Sequence, residues 1–268
     1  MKRGAIGYKV TLMLLIVVSY FILSGREGGC SKDNLETLKS PVQAVCTLLE
    51  TEDGTVMVDL VLISTLNNQT RFITTATNAE IRVPGGNTIG LSQTSDGHYT
   101  ANSDSDSQLV YELGGAYLFK FDLDDENFTG PDYAGRYFKG EINAPETRPS
   151  TLTAQQTNPG PDYNIEISWS PSYPRGIYRV MDSSDSVTDT NWEFDHPQFD
   201  GSKWASLLQQ YPADHTISGE AVQSSGTYTV AYAGCNAQGG LQTELSSALG
   251  LGSGFLACST ISTELVVP

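Results

Sequence analysis

Histidine is scarce in this chain, with only 3 among 268 residues: His98, His196 and His215. Their separations fit no HExxH or other zinc spacing, and no Gly-x-Ser-x-Gly elbow occurs. A hydrolase needs a nucleophile with a base in reach, and no spacing here supplies that pair, so no catalytic residue is assigned. Positive charge is also scarce: 15 Lys+Arg stand against 31 Asp+Glu, a net charge of -16. Such a surface repels phosphate backbones and argues against nucleic acid as a partner. Long apolar runs are missing too. Val10 to Leu23 is the longest, short of the roughly 20 residues of a membrane-spanning helix.

That run follows Lys2, Arg3 and Lys9, the pattern of an export signal. Gly28-Gly29-Cys30 after it resembles the cleavage site of bacterial lipoproteins, in which a small-residue pair precedes the cysteine. The resemblance implies a signal peptide over 1–29, a lipid on Cys30, and attachment to a membrane of the cell envelope. Glu27 stands where that family has an aliphatic residue. Cleavage by a general signal peptidase near Ser24 or Gly25, or retention as an uncleaved anchor, stays open beside it. Residues 30–40 are polar and aperiodic, as a tether would be. The sequons Asn68-Gln69-Thr70 and Asn127-Phe128-Thr129 would be chance matches in a bacterium.

The 4 cysteines follow from export, since an oxidising compartment tends to join any pair that can meet. Cys235 and Cys258 each adjoin a strand-like run and are expected to form a disulfide. Cys46 alternates with Val42, Ala44 and Leu48 and suits a buried face. If Cys30 carries no lipid, a Cys30–Cys46 bond is the alternative.

From residue 41 the dominant period is two. VQAVCTLLE and TVMVDLVLIST flank the turn Glu52-Asp53-Gly54 and predict a hairpin. AEIRV, GLSQT, GHYTA, QLVYEL, AYLFKFDL and YFKGEIN follow as strand candidates, separated by Gly, Asn, Asp and Ser. No amphipathic helix is evident before residue 146, where the proline-bearing APETRPS marks a boundary. The fold class expected is all-β: two consecutive immunoglobulin-like β-sandwich domains, 41–146 and 147–268. GHYTANSDSDSQLVYELGGAYLFKFDL in the first resembles the transthyretin-like and carboxypeptidase-regulatory sandwiches.

In the second domain, Pro149, Leu152, Ile165, Ile167, Trp169 and Pro171 resemble the opening of a fibronectin type III domain. Tyr178 and Val180 match its third strand, Tyr228 and Val230 its sixth, and Asn236 with Gly239 the loop after that. Between these parts GSKWASLLQQY places Trp204, Leu207, Leu208 and Tyr211 at helical spacing. A short helical insertion is therefore expected in the second domain.

Calcium is the one ion the composition suits, since it takes several oxygens from a loop. The best set is Asp122, Asp124, Asp125 and Glu126. Asp104 with Asp106, and Asp182 with Asp185 and Asp189, are further groups, all of them residues that also build turns. Trp192, Phe194, Phe199 and Trp204 crowd the insertion and are the candidate partner-binding residues, loops on a sandwich being where function concentrates. The expected protein is non-catalytic and membrane-anchored, presenting its sandwiches to a protein or glycan. A glycan- or calcium-binding accessory module and a hydrolase with an unrecognised site are the alternatives.

Overall fold

Every residue of VQAVCTLLE extends into one strand, β1 (Val42–Glu50). Ala44, Cys46 and Leu48 are fully buried on one face, and Val45 is buried on the other. Burial on both faces marks a central strand. A computed structural model describes residues 42–66, 69–95, 97–123, 136–158, 163–191, 214–219, 222–239 and 253–268. The chain is all-β, with no α-helix among the described residues. The helix expected around Trp204 lies outside them.

After β1 the strands are β2 (Val56–Leu66), β3 (Gln69–Phe72), β4 (Ala76–Arg82), β5 (Thr88–Gly90), β6 (Ser92–Ser95), β7 (His98–Asn102), β8 (Ala116–Leu123) and β9 (Arg136–Asn143). Then come β10 (Thr151–Gln156), β11 (Ile165–Ser170), β12 (Arg175–Met181), β13 (Val187–Thr190), β14 (Asp214–Ile217), β15 (Gly226–Gly239) and β16 (Gly254–Val267). The β1–β2 hairpin forms as its pattern predicts. Gly54 takes the positive φ of 88° that its turn requires.

Nine strands make one sheet, in the order β13-β12-β15-β16-β1-β2-β7-β6 with β3 beside β2. Smaller sheets, β5-β4-β8-β9 and β10-β11-β14, accompany it. Two apolar cores each draw on the large sheet and one small sheet, and a third cluster, with Val45, Ile63, Ile177 and Leu256, lies on the large sheet alone. In the first, Tyr117, Phe119 and Phe121 of β8 meet Leu48, Leu60 and Phe255, and the Phe119 and Phe255 rings stack at 5.5 Å. In the second, Ile165, Ile167 and Trp169 meet Val180, Tyr228, Val230 and Leu265. Trp169 stacks on Tyr232 at 4.1 Å.

The boundary expected near 146 separates β9 from β10, yet the C-terminal strand serves both sides of it. β15 and β16 pair along 14 residues each. Leu265 and Val267 of β16 enter the second core, whereas Phe255 and Ala257 enter the first. Val45 to Glu50 of β1 pair in parallel with Gly254 to Ser259. Across β12 and β15, Gly176 pairs with Gly234. A Cβ on Gly176 would stand 2.7 Å from the Tyr232 ring, and one on Gly234 would collide with Tyr173. Glycine at both positions lets these rings lie against the backbone.

A charged clamp holds the crossing segment. Arg148 donates from Nε and Nη2 to the two oxygens of Glu50, both at 2.7 Å, and the Ser259 hydroxyl donates to Glu50 Oε2 at 2.9 Å. Tyr173 donates to the Thr147 carbonyl at 3.0 Å. Two strand assignments are corrected. QLVYEL is not a strand: the Tyr117 hydroxyl accepts from Glu112 N–H at 2.6 Å and donates to the Val110 carbonyl at 3.0 Å, so a side chain takes a ladder partner's role. Burial pushes the pKa of that hydroxyl up to about 12. Asn236 and Gly239, expected in a loop, continue β15, because β16 supplies a partner through Gly239.

Candidate functional site

The face of the large sheet opposite the first core carries the polar constellation of most interest. β2 and β7 run antiparallel with Asp59 opposite Thr100 and Val61 opposite His98. Period-two alternation therefore puts Asp59 and His98 diagonally on one face. His98 Nδ1 lies 3.0 and 3.1 Å from the two Asp59 oxygens. Both side chains are largely buried, at 9% and 15% exposure. An ionised carboxylate only accepts, so Nδ1 carries the hydrogen and this contact orients the imidazole. The Phe72 ring lies 6.1 Å from it.

Next to this pair is a cavity of about 350 Å³, lined by Thr47 and Leu49 of β1, Met57 and Asp59 of β2, Thr100 of β7 and Arg179 of β12. Its carboxylate comes from the strands of the first core and its guanidinium from a strand of the second. Reading the sequence passed over Asp59 and Arg179. The one local signal was an acidic residue interrupting the apolar run VMVDLVLI. A second, more polar cleft of about 430 Å³ lies between Glu141 and Asn143 on β9 and Asn236 and Gln238 on β15. There the Asn236 side-chain amide donates to the Asn143 carbonyl at 3.1 Å.

The two described histidines do not converge. His98 stands on β7 and His215 on β14, in different sheets, and His196 lies outside the described residues. The His215 ring packs 5.1 Å from that of Tyr178. Burial lowers its pKa, against the opposing pull of Asp189 and Asp214. The folded state thus favours neutral imidazole, and the stability this confers is complete above about pH 6.5 and lost as pH falls through the lowered value. His215→Gln is expected to flatten the decline of Tm between about pH 7 and pH 5; an unchanged slope would assign the acid sensitivity to other groups.

Of the calcium candidates, Asp122 accepts from the Asn78 amide at 2.7 Å, while Asp124, Asp125 and Glu126 lie outside the described residues. Asp182 behaves as a turn residue: it accepts from Ser184 N–H at 2.8 Å, Ser186 N–H at 3.1 Å and the Ser184 hydroxyl at 2.6 Å. The Ser184 bonds and then the Ser186 bond hold its carboxyl below the usual range. Asp106 likewise accepts from Gln108 N–H at 2.9 Å. No group of three or more potential metal ligands occurs among the described residues. Trp192, Phe194, Phe199, Trp204 and Cys30 fall outside them.

Cys235 and Cys258 are bonded. They sit directly opposite in the β15–β16 ladder with Cα atoms 4.1 Å apart, so strand register alone brings them together. Cys46 is a free thiol, fully buried in the first core. Desolvation, and secondly Asp59, push its pKa well up, which makes it unreactive. A maleimide should leave Cys46 unmodified in the native protein and label it in denaturant, as peptide mass mapping would read. Native labelling would mean that β1 opens.

No protein-family model matches the chain, and no curated protein matches it. Among solved structures, a mutant of Salmonella alpha-2-macroglobulin aligns with 84% of this chain at 12% identity and a TM-score of 0.22. The chain spans only 14% of that protein's length.

Proposed function

We propose that this is a non-catalytic exported protein, lipid-anchored through Cys30 to a membrane of a bacterial cell envelope. Its two β-sandwich modules present their loops to a protein partner, for adhesion or envelope assembly. The observation that carries the reading is the sheet common to both modules. β16 enters both cores, and Arg148 ties the crossing segment to Glu50. Flexible linkers let modules reorient; a common sheet suits a stiff spacer that holds a binding surface at a set distance from its anchor. β1 starts 12 residues after Cys30, at Val42, so the tether is short.

The burial of Cys46 within the first core supports the lipid reading over a Cys30–Cys46 bond, because a residue packed among Leu60 and Phe255 is a core-filling group. Intact-mass measurement of the membrane-extracted protein tests the anchor. A mature chain beginning at Cys30 with a diacylglycerol adduct is expected, together with release of Cys30→Ser into the soluble fraction. A chain starting near Arg26, or one retaining Met1, sinks the proposal.

A further inference from the structure

We propose that the cleft between β9 and β15 binds an extended, basic peptide segment of a partner protein, which adds as a strand to the free edge of β15. This names a docking surface apart from the loops, and it rests on the reading above only in taking a protein as the partner. The ladder between β12 and β15 ends at Arg175 opposite Cys235, whereas β15 runs on to Gly239. Pro174 has no N–H with which to continue it. Tyr173, next in register to face Ala237, instead lays its ring against Gly234 and donates its hydroxyl to the Thr147 carbonyl at 3.0 Å. No other described strand takes its place on that side of β15.

The alternation of hydrogen bonds fixes which groups are left over. In β12, Tyr178 N–H donates to Asn191 Oδ1, and the Tyr178 and Gly176 carbonyls accept from the Thr190 and Asn191 side chains, all on the side of β13. Backbone groups alternate sides along a strand, so Arg175 and Ile177 turn theirs to β15, where Cys235 and Ala233 face them. The Cys235 and Cys258 Cα atoms are 4.1 Å apart, which agrees: a pair that exchanges no backbone bonds lies at about 4.5 Å, a bonded one at about 5.5 Å. Cys235 thus turns away from β16. Two residues on, the N–H and C=O of Ala237 point past Pro174 toward the cleft that both residues line, and those of Gly239 follow on the same edge.

The opposite wall is also a strand edge. Ala144 N–H donates to the Gly115 carbonyl, so Ile142 likewise turns its backbone to β8, and Glu141 and Asn143 turn theirs outward. The Asn143 carbonyl, which accepts from the Asn236 amide at 3.1 Å, has that direction. The space between the edges, about 430 Å³, falls in the range of ligand sites. Ladder bonds hold an extended peptide of any sequence, and side chains choose among sequences. Glu141 is exposed on the wall, and no Lys, Arg or His is among the described residues that line the cleft. With a net charge of -16 on the chain, the edge favours an incoming strand that carries Lys or Arg.

The test is calorimetric titration of the full chain with acetyl-Lys-Thr-Val-Thr-Val-Lys-amide, a basic peptide of high strand propensity. Controls are the same peptide with glutamate for lysine and the same peptide with proline for valine. Saturable binding of the first is expected, with each control weaker by about tenfold or more. Ala237→Pro removes an N–H that faces the cleft and no ladder bond, so it should keep Tm and weaken the peptide by about tenfold or more. Glu141→Gln should weaken it by about threefold. Amide exchange read by NMR should be fast at Ala237 in the free protein and slow at Asn236, which bonds to β16, and the peptide should slow Ala237 by about tenfold or more. If Ala237→Pro fails to fold, Glu141→Gln and the exchange rates decide. Four results overturn the proposal: no peptide binding at millimolar concentration, a control that binds as tightly, unchanged affinity in Ala237→Pro, or an Ala237 amide already protected in the free protein, as a segment of this chain or a second copy on the edge would make it. The intact mass of the mature chain is independent of all four, so the anchor and the docking edge fail separately.

Discussion

Phe255→Ala is expected to destabilise the protein by about 3–5 kcal/mol, the cost of emptying an aromatic site in a packed core. Phe255 is 1% exposed and stacks on Phe119 in the first core, although it belongs to the strand that completes the second. The loss should therefore register far from its place in the chain. Amide exchange of β8 and β1, both formed from residues before 124, should accelerate along with that of β15. A chain ending at Ser253 should go further and lose cooperative unfolding in both modules, because it removes a partner from β1 and β15 together. Urea unfolding followed at Trp169 and by near-UV circular dichroism would measure both. Retention of native stability by either variant would show that β16 is dispensable to the first core.

The second large effect concerns the Glu50–Arg148 clamp, where the two alanine variants should differ. The Glu50 side chain is 8% exposed and that of Arg148 is 51% exposed. Arg148→Ala leaves a carboxylate buried against Ser259 without its cation, which costs about 3 kcal/mol. Glu50→Ala leaves a guanidinium that reaches water and can rehydrate, so its cost is smaller, about 1–2 kcal/mol. The more exposed partner is thus the more damaging one to remove. Chemical denaturation of both single variants and the double variant would check the order, and a larger loss for Glu50→Ala would reverse the assignment of which charge is desolvated.

Local pattern carried much of the fold. AYLFKFDL forms β8 over the full predicted span, Ala116–Leu123, because alternation of Tyr117, Phe119 and Phe121 needs only a period of two to declare a buried face. The pairing of Cys235 with Cys258 was likewise within reach, since each adjoins a strand of one hairpin-like pair. QLVYEL shows the limit. Leu109 is buried as a strand residue would be, but the backbone partner came from a tyrosine hydroxyl, and side-chain substitution for a ladder leaves no periodic trace.

The site was less legible than the fold. His98 stands out as one of few histidines, whereas Asp59 is a single acidic residue inside the apolar strand VMVDLVLI and carries no motif of its own. Nothing local places Asp59 and Arg179 around one cavity; both line it only because β12, β15, β16, β1 and β2 belong to one sheet. The amino-acid sequence by itself determined that the chain is all-β, which residues face inward along most strands, and which cysteines lie close enough to join. These depend on neighbours a few residues apart. Only the tertiary structure decided that β1 and β16, whose partners Val45 and Gly254 are 209 residues apart, run side by side. Strand pairing is chosen by burial of the whole sheet face against its competitors, and that free energy has no counterpart in any single stretch of sequence.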